Sequence, residues 1–144
     1  MNVKFSIDRD LEDNLITMQA NQRNETIQQI IKNIEDSNLH LECLNNQKRL
    51  FQPMSSFINI YSAAKKIFGN TNDYADLILK HRLYELETIL PNYFVRVSNT
   101  EIININYVSK FELTANGIIL IFFKNGTQTS SSRRYLKKIK EKLT

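Results

Sequence analysis

The sequence predicts a fold that is mainly β with short helices, preceded by a small β-β-α unit at the N-terminus. Two observations support this fold class. From Leu39 onward, short segments alternate apolar and polar residues, which is typical of half-buried strands. Asn116-Gly117 and Asn125-Gly126 predict two successive hairpins, because both residue types tolerate the positive φ of tight hairpin turns. We therefore divide the chain into an N-terminal unit, residues 1–38, and a β domain, residues 39–144.

The N-terminal unit is predicted to contain two strands and one helix. Apolar and polar residues alternate in residues 3–7 and again in residues 16–20, on either side of an acidic turn. A helix is predicted over Asn24–Asp36, with Asn24 as its N-cap. Because the unit is too small to bury a stable core alone, we expect it to mediate dimerisation or a regulatory contact. The isoleucines of the helix form one apolar stripe: Ile27, Ile30, Ile31 and Ile34.

Residues 39–79 are predicted to form strands separated by turns. Residues 39–43 alternate as a strand, Asn45-Asn46 turns the chain, and residues 48–52 return as the second strand of a hairpin. Gly69-Asn70-Thr71-Asn72 is a further predicted turn. Additional strands are expected at residues 57–62 and 74–79.

Residues 81–123 are predicted to form a short helix and two hairpins. The helix spans residues 81–90 and ends before Pro91. The first hairpin has strands on either side of the polar turn Ser98-Asn99-Thr100. The second pairs residues 111–115 with residues 119–123 across Asn116-Gly117.

The last element is predicted to be an amphipathic, basic helix. Ser132 precedes it and carries the side-chain oxygen that is favoured at an N-cap. Leu136, Ile139 and Leu143 form an apolar stripe, with Tyr135 beside it. The remaining arc is basic and consists of Arg133, Arg134, Lys137, Lys138 and Lys140.

Positive charge is concentrated at the C-terminal end of the chain. Residues 124–144 contain seven Lys or Arg and one acid, a net charge of +6, whereas residues 1–40 carry −3 and residues 41–123 carry +1. A localised basic surface on a near-neutral body predicts a polyanion or an acidic partner. From charge alone, a solvated amphipathic helix without a specific partner is an equally good interpretation.

The sequence lacks the motifs of an enzyme or a metal protein. His40 and His81 have no Cys or acidic partners at ligand spacing, so no metal site is expected. No glycine-rich phosphate motif or nucleophile motif occurs, so no cofactor and no small-molecule substrate is expected. Glu85 and Glu87 point to different faces of the predicted helix, and we interpret them as solvated charges rather than catalytic groups. Cys43, the one cysteine, excludes an internal disulfide and is predicted to be a small buried hydrophobe.

The sequence also predicts a cytoplasmic protein. The longest apolar run, Ile118–Phe123, has six residues and is far too short to span a membrane. The first ten residues have no apolar core of the kind that a secretory signal requires.

Three ordered blocks of the sequence resemble the LytTR family of bacterial DNA-binding domains. They are Leu83–Leu90 (LYELETIL), Phe94–Asn104 (FVRVSNTEIIN), and Asn125-Gly126 followed by Ser132–Lys140 (SRRYLKKIK). Each block alone is weak, but their order and spacing are specific and cover most of residues 57–143. The resemblance implies an elongated fold of short strands in which loops, rather than a recognition helix, contact DNA.

The resemblance further implies a sequence-specific transcriptional regulator that binds direct repeats of double-stranded DNA. Two copies would lie side by side in successive major grooves, which implies a homodimer on DNA. Basic side chains supply phosphate contacts, and Asn or Arg side chains can read base edges. The implied contacts are Asn99 flanked by Ser98 and Thr100, then Arg133 and Arg134 with Lys137 and Lys138 suited to phosphates, and finally Lys65 and Lys66.

Three polar residues in these blocks also have structural interpretations. The side chain of Asn99 can stabilise its own turn by bonding to the backbone. Arg96 lies in mid-strand and is a candidate ion-pair partner of Glu101 or Glu112. Asn104 is predicted to be structural.

The chain departs from the family pattern in two ways. Only about 38 residues precede the domain, so control by a phosphorylated receiver within this chain is not expected. Tyr61 stands where the family often has Glu. Short regulators of this build resemble those restrained by a small integral membrane protein, which implies such a partner here. The alternative function is a protein-interaction module whose basic helix docks an acidic or membrane-anchored partner.

Overall fold

The computed structural model describes residues 3–10, 17–37 and 39–143. The chain divides into two compact units, residues 1–34 and residues 35–144. The described part of the second unit contains ten strands, and the predicted mainly β fold with short helices is confirmed there.

The N-terminal unit has its predicted helix but not its predicted strands. Helix α1 is Glu25–Ser37, and Asn24 Oδ1 caps it by accepting a hydrogen bond from the Ile27 amide at 2.9 Å. Residues 3–8 and 17–20 form no strand, and Ile16 lies outside the described residues. Among the described residues nothing covers Val3 or Phe5, which are 87% and 85% exposed. A two-stranded ribbon with an uncovered apolar face is at best marginally stable, which explains why the alternation did not produce strands.

Seven antiparallel strands form the larger sheet of the second unit, in the order β2-β1-β5-β4-β3-β7-β6. Helix α2, Leu83–Ile89, connects β5 to β6. One-turn 3-10 helices at Met54–Ser56 and Ile105–Tyr107 join other strands. The seven strands are β1 His40–Asn45, β2 Lys48–Pro53, β3 Phe57–Ala63, β4 Lys66–Thr71, β5 Leu77–Leu79, β6 Phe94–Ser98 and β7 Glu101–Asn104.

Three further strands form a second antiparallel sheet, in the order β10-β9-β8. These strands are β8 Val108–Leu113, β9 Ile119–Phe123 and β10 Gln128–Ser130. The chain then forms a single 3-10 turn, Arg133–Tyr135, and ends in helix α3, Leu136–Leu143.

Two buried clusters lie on the two faces of the larger sheet. Alternation within β7 shows the division, because Ile102 belongs to the first cluster and Ile103 to the second. Leu83 and Leu86 bring α2 into the first cluster, together with Cys43, which is 0% exposed, as predicted. The second cluster joins β6 and β7 to the smaller sheet and to α3: Ile58, Val95, Val97, Ile103, Ile119, Ile121, Phe123 and Ile139.

Asn104 fixes the start of β3 from the neighbouring strand, and its predicted structural role is confirmed. Its side chain is 0% exposed. Nδ2 donates to the Phe57 carbonyl at 2.9 Å and Oδ1 accepts from the Asn106 amide at 2.9 Å. A buried amide needs such partners, because leaving it unpaired would be costly.

The predicted turn at Gly69–Asn72 is wrong, because Gly69, Asn70 and Thr71 lie inside β4. Gly69 is required there by close packing. A Cβ at this position would lie 2.6 Å from Cε1 of Phe57, so only glycine leaves room for the ring. The actual turn is Ala64-Lys65, with φ of 49° and 64°, between β3 and β4.

Three other predicted turns differ in detail from the structure. The β1–β2 turn has positive φ at Asn46 and Gln47, one residue later than Asn45-Asn46. At Asn116-Gly117 and at Asn125-Gly126 only the glycine has positive φ, 79° and 90° respectively. Gly126 N donates to the Phe123 carbonyl at 3.0 Å, so this connection is a three-residue turn with glycine in the left-handed position.

Replacing Gly69 with Ala should destabilise the β domain by roughly 1–3 kcal/mol, because the methyl group overlaps the Phe57 ring. Urea unfolding of the full chain measures this change. The matched test combines Gly69→Ala with Phe57→Leu. With the ring removed, the added methyl should cost much less, and an undiminished cost would show that Phe57 is not the constraint.

Candidate nucleic-acid interface

The β6–β7 turn, Ser98 to Thr100, presents Asn99 on the surface of the domain. The Thr100 amide donates to Ser98 Oγ at 3.2 Å, and the two hydroxyl groups are 3.3 Å apart. Arg96 holds the same turn from inside β6. Its Nε donates to the Ser98 carbonyl at 3.0 Å and its Nη2 to the Asn99 carbonyl at 2.7 Å. The turn is therefore fixed by side-chain contacts as well as by strand pairing.

The ion-pair partner of Arg96 is Glu87 on α2, and the predicted pairing with Glu101 or Glu112 is wrong. Arg96 Nη1 lies 3.0 Å from Glu87 Oε2, and only 17% of the Arg96 side chain is exposed. The interpretation of Glu85 and Glu87 as solvated charges is also wrong. Glu85 Oε1 accepts from the Arg82 amide at 3.2 Å and caps the start of α2.

The segment before α3 is attached to both sheets. Ser131 is 2% exposed, and its Oγ accepts from the Ile119 amide at 3.1 Å. The Ser132 amide donates to the Val97 carbonyl at 2.9 Å. Ser132 occupies the predicted N-cap position, but its side chain makes no capping bond, and a 3-10 turn precedes α3. These bonds position Arg133 and Arg134 beside β6.

The apolar stripe of α3 is directed toward the second buried cluster. Ile139 is 1% exposed, Leu136 is half-buried and Leu143 is 45% exposed. The basic side chains of the remaining arc are exposed. Lys138 Nζ lies 3.9 Å from Glu87 Oε1, a distance at which an exposed pair contributes little.

Tyr135 joins two of the predicted contact regions. Its hydroxyl group donates to Asn99 Oδ1 at 2.9 Å. Its ring centroid is 5.9 Å from the guanidinium carbon of Arg96 and 5.8 Å from that of Arg134, within the range of cation–π contacts. Asn99 and Arg134 therefore belong to one connected surface.

The third predicted region emerges at the same end of the larger sheet. The Ser62 amide donates to the Thr100 carbonyl at 2.8 Å, and Tyr61 pairs with Glu101 in the β3–β7 register. The β3–β4 turn that follows β3 therefore lies beside the Asn99 turn. It carries Lys65 and Lys66, both exposed.

A polar network beneath these turns was not anticipated from the sequence. Glu101 accepts from Thr129 Oγ1 at 2.5 Å, which ties β10 to β7, and from Asn59 Nδ2 at 2.9 Å. Tyr61 donates to Asp76. Partial burial of the phenol, the larger cause, and the hydrogen bond to Asp76, the next, together raise the pKa of Tyr61 to about 12. The phenol therefore stays protonated and remains a donor at neutral pH.

The residues that sequence reasoning missed are Tyr135, Glu87 and Glu101. Each acts through a partner nine or more residues away in the chain, so no local pattern marks it. The one available signal was Tyr135, an aromatic residue directly after Arg133 and Arg134 and beside the apolar stripe.

The described residues contain no group of three His, Cys, Asp or Glu side chains that could hold a metal ion. Within the same residues, no helix is both long and apolar enough to cross a membrane.

These observations define a class of protein: a β-rich domain that presents basic and amide side chains from loops at one end of its main sheet. The profile of the LytTr DNA-binding domain family matches residues 47–144. A solved LytTr DNA-binding domain of a Bacillus cereus protein superposes with a TM-score of 0.68 at 21% identity, covering 72% of this chain and 95% of that structure. The chain belongs to the LytTR family of DNA-binding domains.

Relatives in Staphylococcus aureus extend the similarity to the whole chain. A protein of strain NCTC 8325, named an uncharacterized HTH-type transcriptional regulator, is 33% identical over 147 residues, which cover 100% of this chain and 99% of the relative. A protein of strain MSSA476 with the same description is 53% identical over 66 residues, covering 46% of this chain and 45% of the relative. In the part of this chain that the structure describes, five strands separate α2 from α3, so these helices do not form a helix-turn-helix.

Replacing Arg96 with Lys should loosen the Asn99 turn, because one ammonium group cannot donate to Glu87 and to both carbonyls at once. We expect faster hydrogen exchange at residues 98–100. DNA affinity should fall on the order of tenfold, as for the loss of a charge-assisted hydrogen bond. Arg49→Lys is the matched control, since Arg49 pairs with Glu42 on β1. Unchanged exchange in Arg96→Lys would contradict this role.

Proposed function

We propose that the protein is a cytoplasmic, sequence-specific transcriptional regulator that binds direct repeats of double-stranded DNA. Two copies bind side by side, each placing its loops in the major groove. The observation that carries this proposal is the bond between Tyr135 and Asn99, which unites the two loop regions. The description of the Staphylococcus aureus relatives as transcriptional regulators supports it.

The proposed contacts divide into base-reading and phosphate-binding groups. Asn99 and Arg134 carry the side chains suited to base edges, because amides and guanidinium groups can pair with the acceptors of the major groove. Ser98 and Thr100 flank Asn99. The phosphate-binding group consists of Arg133, Lys137, Lys138, Lys65 and Lys66, all exposed.

The geometry of α3 favours loops over a recognition helix. The helix spans eight residues, about 12 Å, and its buried Ile139 directs one face toward the second cluster. Lys137 and Lys138 lie in its first turn, beside the arginines of the preceding 3-10 turn. The part of the chain best placed to contact DNA is therefore residues 133–138.

Binding in gel-shift titrations, with the upstream region of its own gene at several salt concentrations, tests this proposal. A regulator should bind that region more tightly than competitor DNA. Equal binding to both would contradict sequence-specific regulation. It would then favour the alternative, a protein-interaction module whose basic helix docks an acidic or membrane-anchored partner.

Arg134→Ala and Lys138→Ala should have different effects on DNA binding. Loss of the guanidinium group should cost roughly 1–3 kcal/mol on the preferred sequence and relax one base preference. Loss of the ammonium group should weaken all sequences alike and reduce the salt slope by about 1. Arg49→Ala, on β2, is the matched control. Identical behaviour of the two variants would show that the proposed division of roles is wrong.

The N-terminal unit is proposed to mediate self-association and contact with a small integral membrane protein that restrains the regulator. Its exposed apolar residues support a contact surface, because Val3, Phe5 and Ile7 are 87%, 85% and 77% exposed. Its acidic charge distinguishes it from the basic surface that we assign to DNA.

Phe5→Asp should weaken self-association of the full chain by at least about tenfold, since burying a phenylalanine contributes roughly 1.5–3 kcal/mol. Analytical ultracentrifugation measures the change. Phe51→Asp is the matched control, because Phe51 is 64% exposed and lies on β2. Indistinguishable dissociation constants for the two variants and the unaltered protein would exclude the assigned surface.

A further inference from the structure

The side chain of Asn99 is held by Tyr135 through one of its two polar atoms. The Tyr135 hydroxyl group donates a hydrogen bond to Asn99 Oδ1 at 2.9 Å. Arg96 contacts Asn99 at its backbone carbonyl and not at its side chain. Among the described residues, Asn99 Nδ2 makes no hydrogen bond, and the Asn99 side chain is exposed. The amide therefore offers solvent its donor group and has its acceptor engaged by the protein.

An amide that is oriented in this way has a narrower preference than a free asparagine. A free asparagine can pair with adenine through both atoms, its oxygen accepting from N6 and its nitrogen donating to N7. At Asn99 a base donor would have to share Oδ1 with the Tyr135 hydroxyl. Guanine offers the acceptors O6 and N7, adenine offers N7, thymine offers O4, and cytosine offers only a donor in the major groove.

We propose that Tyr135 is a positioning residue that makes Asn99 read the major groove chiefly as a hydrogen-bond donor. The bond from Tyr135 presents Nδ2 to an acceptor on a base edge, such as guanine O6 or N7, adenine N7 or thymine O4, and disfavours cytosine, which offers only a donor. This inference rests on the proposed function, since it requires the Asn99 turn to lie in the groove.

The ring of Tyr135 has a second effect that its hydroxyl group does not share. The guanidinium carbon of Arg134 is 5.8 Å from the ring centroid, so the ring also supports the second proposed reader. Removing the hydroxyl group should therefore change only the base read by Asn99. Removing the whole ring should change the bases read by Asn99 and by Arg134.

The test is selection of binding sites from a random DNA pool by the full-length protein and its variants. Asn99→Ala and Arg134→Ala first identify which motif position each side chain reads. In Tyr135→Phe, the side-chain amide of Asn99 can rotate and exchange the positions of Oδ1 and Nδ2. The position read by Asn99 should then admit cytosine and gain preference for adenine, whose bidentate pairing needs a free Oδ1, while the position read by Arg134 stays unchanged.

Quantitative binding to single-base variants of the selected site gives the size of the effect. Discrimination against cytosine at the Asn99 position should fall by roughly three- to tenfold in Tyr135→Phe, as expected for one lost hydrogen bond. In the Asn99→Ala background the same substitution should have no effect on this position. Tyr135→Leu should relax both positions. Tyr84→Phe is the matched control, because Tyr84 is 66% exposed on α2.

The outcomes separate failure of this inference from failure of the proposed function. If the unaltered protein selects no motif, the proposed function is wrong and this inference falls with it. If it selects a motif and Tyr135→Phe keeps the same preference at the Asn99 position, Tyr135 does not orient the amide. Uniformly weaker binding with all preferences intact would place Asn99 on a phosphate and also overturn the inference.

Discussion

The geometry of the candidate interface depends on the hydrogen bonds that the Arg96 guanidinium group donates. One side chain donates to Glu87 on α2 and to two consecutive carbonyls of the β6–β7 turn. Its contact with the Tyr135 ring brings in the segment that precedes α3. A planar group with five donors can make these contacts together, which an ammonium group cannot. Because only 17% of the side chain is exposed, its bonds lie in a partly desolvated setting where charge-assisted hydrogen bonds contribute more.

A domain that reads DNA through loops, as we propose for this one, benefits from loops that are ordered before binding. Loops lose conformational entropy when they are ordered on binding, so a loop that is already fixed binds at lower cost. Here the Asn99 turn is fixed by Arg96, and the two sheets are joined below it through Glu101 and Thr129. The side chains that we propose as base readers can therefore be polar and exposed while their backbones remain rigid.

Local patterns predicted the elements well, and the failures have physical causes. Alternation and turn residues indicated most strands from residue 39 onward, though not β4, because these signals lie within a few neighbouring residues. The turn predicted at Gly69 was wrong because glycine occurs both in turns and where a neighbouring group packs closely. Only the position of the Phe57 ring shows that close packing is the reason here. Residues 3–7 misled because alternation indicates a strand only where another surface covers its apolar side.

The position of the candidate site could be predicted from the sequence, but the contacts between its side chains could not. Charge and the three family blocks indicated Asn99, Arg133 and Arg134, and the structure brings these regions to one end of the sheet. The contact from Tyr135 to Asn99 spans 36 residues, and no spacing rule predicts it. The net charge of the segments also did not predict that Glu87 lies among the basic side chains.

Glu87 shows why net charge is a poor guide to how such a surface selects its sequence. An acid at a DNA-binding surface repels phosphates and lowers non-specific affinity, which depends on the number of phosphates neutralised. The same carboxylate accepts from Arg96 at 3.0 Å and so helps to fix the turn that carries Asn99. Under the proposed function, weaker general attraction to DNA is thus coupled to greater rigidity of Asn99, the neutral side chain that we propose as a base reader. Since specificity is the difference between binding to the correct and the incorrect sequence, both effects act in the same direction.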